Sequence, residues 1–123
     1  MRLLLDTHVV LWAVTDAAAL PMRFRAALQD GRTELFVSAV SVWEVSIKTG
    51  LGKLDVPQDL WDRVAEAGCA ALPVTWAHAR AVQGLPLHHA DPFDRLLIAQ
   101  AQVEGMVLVS ADRAFAAYDV TLL

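Results

Sequence analysis

The 123-residue sequence predicts an α/β domain with a parallel sheet, and three observations lead there. Short apolar runs alternate with amphipathic segments of helix length, the order expected of strands joined by helical crossovers. Residues that begin and end helices stand between the runs: Pro21, Ser41, Pro57, Thr75 and Asp91-Pro92 at starts, Gly50 and Gly105 at ends. No repeat, low-complexity stretch or long linker interrupts the pattern, so residues 1–123 are expected to form one domain.

The elements follow in order. Leu3-Leu4-Leu5 reads as a first strand and about His8 to Val14 as a short helix. A second helix is expected after Pro21, because proline suits a first helical turn. Leu35-Phe36-Val37-Ser38 reads as the second strand. Ser41 is expected to cap a helix running to Thr49, with Glu44 at the capping-box position and Gly50 just past its end. Pro57 is read as opening a helix to about Ala67, Ala71 to Val74 as a short strand, and Thr75 as the cap of a helix through Val82. Asp91-Pro92 begins a long helix to about Glu104, which Gly105 ends. Met106 to Val109 is the last inner strand, followed by a short helix around Phe115 and an edge strand from Val120 to Leu123.

Composition narrows the function. Hydrophobic residues make up 56% and mean hydropathy is +0.42, ample for a core. No apolar run approaches the ~20 residues of a membrane span. Met1 to Leu5 has the opening of a signal peptide, but Asp6 and His8 interrupt it. The single Cys69 has no partner within the chain and reads as a buried thiol, which fits a reducing cytoplasm. Net charge −4 and a pI near 5.4 argue against a simple cationic nucleic-acid binder. A nuclease remains open, because bound divalent metal offsets a local acidic cluster.

Four of the 14 acidic residues sit where carboxylates are costly. Asp6 follows Leu3-Leu4-Leu5 directly, and Asp112 lies just beyond Val107-Leu108-Val109-Ser110. Both belong at carboxyl ends of strands, where ligands bind in open parallel sheets. Glu44 is embedded in Val40-Ser41-Val42-Trp43-Glu44-Val45, and Asp94 begins Asp94-Arg95-Leu96-Leu97-Ile98. Each is placed in or near the first turn of a helix that follows a strand, on that same side of the sheet. Too few basic residues lie nearby to pair all four, so a hard divalent cation is the expected partner. Mg²⁺ or Mn²⁺ held there activates water and stabilises a phosphoryl transition state. A structural role stays open for each acid: helix capping for Asp6 and Asp112, a capping box with Ser41 for Glu44, a helix-dipole contact for Asp94. Asp91, before a first-turn proline, is read as an N-cap, with support of the metal as its rival role.

The motifs resemble a known family. His89-Ala90-Asp91-Pro92-Phe93-Asp94-Arg95-Leu96-Leu97-Ile98-Ala99-Gln100-Ala101 is similar to the signature of one branch of VapC-type PIN-domain toxins. Leu3 to His8 resembles that family's first motif, Ser41 to Lys48 with Leu51-Gly52-Lys53-Leu54 its second, and Val109-Ser110-Ala111-Asp112 with Phe115 and Tyr118 its last. The likeness spans essentially the whole chain. It implies a three-layer α/β/α fold with a mainly parallel sheet and a metal quartet of Asp6, Glu44, Asp94 and Asp112 holding Mg²⁺ or Mn²⁺, with Asp91 as a candidate extra ligand. It also implies metal-activated hydrolysis of RNA phosphodiesters, a small VapB-like antitoxin that blocks the site, and a homodimer. Ala90 stands where a basic residue is often found, and Cys69 where an aromatic is common.

The remaining polar residues have candidate roles beside the acids. Lys48 and Arg95 are the nearest basic residues and are candidates for touching phosphate, with exposed helix faces as the alternative. His88 and His89 precede the acidic motif, and His89 is a candidate RNA contact; neither shows the spacing of a histidine metal site. Thr7 and Ser110 adjoin two acids and are placed to hydrogen-bond them. Trp12, Trp43, Trp61 and Trp76 read as core or interface anchors, with Trp12 and Trp43 near the site. Two other functions fit the residues less well. A signalling receiver needs adjacent acids after its first strand and a late lysine, and no lysine follows Lys53. A silent scaffold that only binds a partner has no need of all four acids.

Overall fold

The computed structural model describes residues 1–123. Its centre is a four-stranded sheet in the order β3-β2-β1-β4, formed by β1 (Arg2–Leu5), β2 (Glu34–Ser38), β3 (Ala70–Leu72) and β4 (Val107–Val109). Every pairing is parallel: Leu3 is in register with Leu35 on one side and with Val107 on the other. The helices are α1 (Thr7–Val14), α2 (Met22–Gln29), α3 (Ala39–Gly50), α4 (Leu60–Glu66), α5 (Trp76–Ala81) and α6 (Pro92–Glu104). The predicted α/β class and parallel sheet are what the chain forms, as three layers.

Strand alternation produces the layers. Leu4 and Leu108 face a core made with α5 and α6, including Leu97, Ile98, Ala101 and Phe115. Leu3, Leu5, Val37 and Val109 face the opposite core, made with Val9, Val10, Phe24, Leu60 and Val64 of α1, α2 and α4. Leu3 and Leu4 are both fully buried, which is why β1 is apolar at each position from Leu3 to Leu5 instead of at alternate ones. Its neighbours β2 and β4 are reached in opposite directions, so the order reverses between β1 and β4. That reversal is the position at which doubly wound sheets open a crevice at their carboxyl edge.

Helix boundaries show which chain signals dominate. α6 starts and ends as predicted: Asp91 Oδ1 accepts from Phe93 N and Asp94 N at 2.8 and 3.1 Å, and Gly105 adopts a left-handed φ of 65°. Thr75 caps α5 in a box whose second member is the His78 ring, although α5 closes at Ala81 into a 3-10 turn, Val82–Gly84. The expected start of α3 is corrected. Its cap is Ser38, the last residue of β2, whose hydroxyl accepts from Val40 N at 3.0 Å. Strand passes to helix with no loop, so Ser41 lies inside the helix and is fully buried. Glu44 is therefore in the second turn and makes no capping box, and Gly50 is the last helical residue. The helix after Pro57 begins only at Leu60. The expected C-terminal edge strand shrinks to one bridge, Leu108 with Leu122. Trp76 and Trp43 are not core residues, being 88% and 57% exposed. No helix is long and apolar enough to cross a membrane.

Candidate metal centre

Asp6 leaves the end of β1 and stands at the N-cap position of α1, yet its side chain caps nothing. It is 3% exposed, and its Oδ2 accepts from Ser110 Oγ at 2.9 Å. Its Oδ1 is buried without any hydrogen-bond partner. An unpaired buried carboxylate oxygen is expensive. Burial pushes the Asp6 carboxyl up, against the Ser110 hydrogen bond and the nearby His8, and the charge of Glu44 adds to the rise.

Glu44 reaches the same region from α3 and is equally buried. Thr7 Oγ1 donates to its Oε1 at 2.8 Å and shares a second hydrogen bond with Ser41 Oγ at 2.9 Å. Lys48, one helical turn on, pairs with its Oε2 at 2.7 Å. That contact holds the Lys48 ammonium above its ordinary range, and the charges of Asp91 and Asp94 act in the same direction.

Asp94 occupies the third position of α6, where Asp91 caps its backbone N–H. Its Oδ2 lies 2.7 Å from His89 Nε2. Burial raises its carboxyl from 3.8 to about 6, opposed by His89 and helped by the charges of Asp6, Asp91 and Glu44. Three other acids therefore act on one carboxylate. Asp112 comes from the turn after β4: its Oδ1 accepts from Ala114 N at 2.9 Å, and its Oδ2 is 3.9 Å from His89 Nε2. Its side chain is 46% exposed and borders solvent. Ser110 Oγ accepts from Asp112 N at 3.1 Å while donating to Asp6, so one hydroxyl ties the ends of β1 and β4 together.

The structure thus brings Asp6, Glu44, Asp94 and Asp112 to the crevice, with Thr7 and Ser110 hydrogen-bonded to two of them. Asp91 sits among them as the cap of α6, using Oδ1 for both capping bonds. Arg95 points elsewhere. Its guanidinium donates to Pro86 O, Val82 O, Leu85 O and Tyr118 Oη, at 2.8 to 3.3 Å, and holds the loop before α6. Sequence reasoning missed His8 and Lys53, which line a cleft of about 170 Å³ beside Thr7, Glu44 and Lys48. Their positions in the first two motifs carried the signal. It also missed how closely His89 joins the acids: His89, Asp94 and Asp112 offer ligand atoms within 4.8 Å of one another.

A parallel α/β domain with carboxylates clustered at the switch point of its sheet, one of their oxygens orphaned, defines a class: a domain with the donor set for a divalent cation. The family can be stated more narrowly. The chain belongs to the PIN-domain family, whose profile matches residues 3–120. Ribonuclease VapC16 of Mycobacterium tuberculosis is 38% identical over 68 residues, which cover 50% of this chain and 48% of that one. The chain is thus matched along about half the length of this relative. Two solved structures share the fold over 100% of this chain and 97% of theirs. VapBC2 from Rickettsia felis, bound to a DNA fragment from its promoter, has a TM-score of 0.73 at 13% identity. VapBC-1 from nontypeable Haemophilus influenzae has 0.65 at 16%.

Proposed function

We propose that this protein is a metal-dependent endoribonuclease, the toxin of a type II toxin–antitoxin pair acting in the cytoplasm. The observation that carries the reading is the buried, unpartnered Asp6 Oδ1 among three further carboxylates. Clustered oxygen donors whose repulsion Lys48 relieves only at Glu44 suit Mg²⁺ or Mn²⁺. Asp6, Glu44, Asp94 and Asp112 are the residues proposed to hold the ion, with Asp91 placed to assist. A bound ion supplies an activated water and offsets the charge that develops on a phosphoryl group.

The chain's own residues prepare for that chemistry. Thr7 and Ser110 fix one oxygen each of Glu44 and Asp6; the second Asp6 oxygen is left free to turn to the ion, and the second Glu44 oxygen is held by Lys48. Lys48, His8 and Lys53 line the neighbouring cleft, where the two lysines offer positive charge to an RNA backbone. His89 stands at the rim as a further RNA contact. Arg95, engaged by four internal acceptors, serves by holding the loop that carries His89. The net charge of −4 makes this small basic cleft more important, because the rest of the surface repels phosphate.

The partners follow from the fold's apolar surfaces and from the VapBC structures that share the fold. A cleft of about 270 Å³ lined by Leu5, Val10, Val14, Leu28 and Val64 is offered for an apolar antitoxin segment. The exposed face of α3, with Val42, Trp43 and Ile47, is offered for a second copy. The test is cleavage of structured RNA by protein free of antitoxin, in Mg²⁺, Mn²⁺ and EDTA, with Asp6→Asn and Asp94→Asn alongside. Cleavage that requires metal and disappears in both variants supports the reading. A parent that binds metal yet cuts no RNA, transfer RNA included, sinks it in favour of a binding-only scaffold.

A further inference from the structure

The loop before α6 is unusually well anchored for a surface segment. Tyr118, 5% exposed, accepts from His88 N at 3.2 Å and His89 N at 2.9 Å through its hydroxyl. Arg95 binds the carbonyls of Leu85 and Pro86 and also reaches the Tyr118 hydroxyl at 3.2 Å. The buried Phe115 meets the edge of the His89 ring, with centroids 6.3 Å apart. Residues from α6 and from the turn after β4 therefore fix the His89 backbone and ring plane, and its Nε2 faces two carboxylates.

The three donor atoms of His89, Asp94 and Asp112 stand close to the spacing of one coordination sphere, all within 4.8 Å of one another. Ligands around an octahedral ion with bonds of about 2.1 Å stand about 3 to 4.2 Å apart. His89 Nε2 is 3.9 Å from Asp112 Oδ2, inside that range, and 2.7 Å from Asp94 Oδ2, a hydrogen bond that lengthens by a few tenths of an ångström when an ion takes the place of the shared proton. The group borders solvent on the Asp112 side, and the charge of Asp6, whose Oδ1 is orphaned, acts on Asp94 from the buried side. We propose that His89 is a nitrogen ligand of the cation in this centre and that its imidazole makes the site favour a first-row transition ion such as Mn²⁺ over Mg²⁺. This inference rests on the metal-dependent reading above and specifies which ion the site selects. Mg²⁺ is held best by oxygen and keeps its waters, whereas first-row ions accept imidazole readily. An all-carboxylate centre has no such preference for nitrogen-accepting ions.

The test uses Mn²⁺ itself, titrated into the full chain, with Mg²⁺ affinity measured by competition. Pulsed electron paramagnetic resonance of the bound Mn²⁺ is expected to show modulation from directly coordinated ¹⁴N. In His89→Gln that modulation disappears and Mn²⁺ affinity falls about tenfold, while Mg²⁺ affinity changes by less than about half as much on a logarithmic scale. In His8→Gln, which removes the imidazole near Asp6, the nitrogen signal persists. Absence of the signal in the parent, its survival in His89→Gln, or equal weakening of both ions overturns the proposal. Retained Mg²⁺ binding shows that the variant is folded. If the parent binds neither ion, the metal-dependent reading itself has failed. If it binds both and His89→Gln changes nothing, only the role of His89 has failed.

Discussion

Asp94→Asn offers a test in which stability and metal binding move in opposite directions. The side chain is 14% exposed, so solvent does little to screen it. Its carboxyl is raised from 3.8 to about 6, and about 1.4 kcal/mol per pK unit puts the cost of ionising it in the folded chain at roughly 2–3 kcal/mol. The sign follows from proton linkage. A raised carboxyl binds its proton more tightly when folded, so acid favours folding, and stability falls as pH climbs from 3.8 through about 6. Above that interval the full cost is present. Asparagine keeps the shape and an acceptor for His89 but has no charge to desolvate. It loses a favourable helix-dipole contact of about 0.3–1 kcal/mol, so the expected net gain at pH 7.5 without metal is about 1–2 kcal/mol. At about 3–5 °C per kcal/mol for a domain of this size, the variant should melt roughly 3–10 °C above the parent in EDTA. At pH 5 the gain should fall to about half, because the folded carboxyl is then largely protonated while the unfolded one is still largely ionised. Saturating Mn²⁺ should raise the parent's melting temperature and leave the variant's almost unchanged. Calorimetric melts at both pH values decide the matter. A variant less stable than the parent in EDTA at pH 7.5 would refute the claim that these acids are held at a cost for want of a cation.

Other perturbations probe the parts around the acids. Ser110→Ala removes the donor to Asp6 Oδ2 and the acceptor for Asp112 N; Mn²⁺ affinity should drop about tenfold, read by titration. Ser38→Ala removes the α3 cap and leaves Gln100 Oε1, bonded at 2.6 Å, without its donor in the core. Urea unfolding should show a loss of about 1.5–3 kcal/mol, and a loss below 0.5 kcal/mol would mean that Ser41 takes over the cap. Tyr118→Phe keeps the buried ring while freeing two loop N–H groups; amide exchange at His88 and His89 should quicken with little change at β1. Trp76→Ser, at a side chain 88% exposed, should alter stability by less than about 0.5 kcal/mol, measured by the same urea titration.

Much of this fold was readable because its punctuation is local. Asp91-Pro92 and Gly105 bound α6 through contacts within four residues, and Thr75 caps α5 the same way. Ser38 and Ser41 show where local reading stops. Both are plausible caps, and the choice falls to Ser38 because β2 needs its residues through Ser38 to pair with Leu72 of β3. Strand order is likewise a property of pairings between residues more than thirty or a hundred positions apart, which no window of sequence contains. The candidate site divides along the same line. A carboxylate inside an apolar run is conspicuous in any sequence, so Asp6, Glu44, Asp94 and Asp112 stood out one by one. What each of them bonds to was not conspicuous. Thr7 meets Glu44 across 37 positions and Ser110 meets Asp6 across 104. Arg95 illustrates the cost of reasoning from type and proximity alone: a basic residue next to an acidic motif suggests phosphate, but its fork of donors is satisfied by carbonyls of the loop it follows.

Ser110 shows why a site can be inferred from acids while its working geometry cannot. A single hydroxyl accepts from Asp112 N and donates to Asp6, and so couples the residues that follow β1 and β4 at the point where strand order reverses. The sheet register places Leu5 beside Val109, so the two following residues, Asp6 and Ser110, must meet. Had β4 paired one residue out of register, its side chains would change faces, and Ser110 would point away from Asp6. Both Asp6 oxygens would then be orphaned, adding a cost comparable to the one already borne by Oδ1. The same register that packs Leu108 into one core and Val109 into the other therefore also orients the candidate metal centre. Packing and the site are specified by one set of strand contacts, so selection for a stable sheet and for a competent centre acts on the same residues.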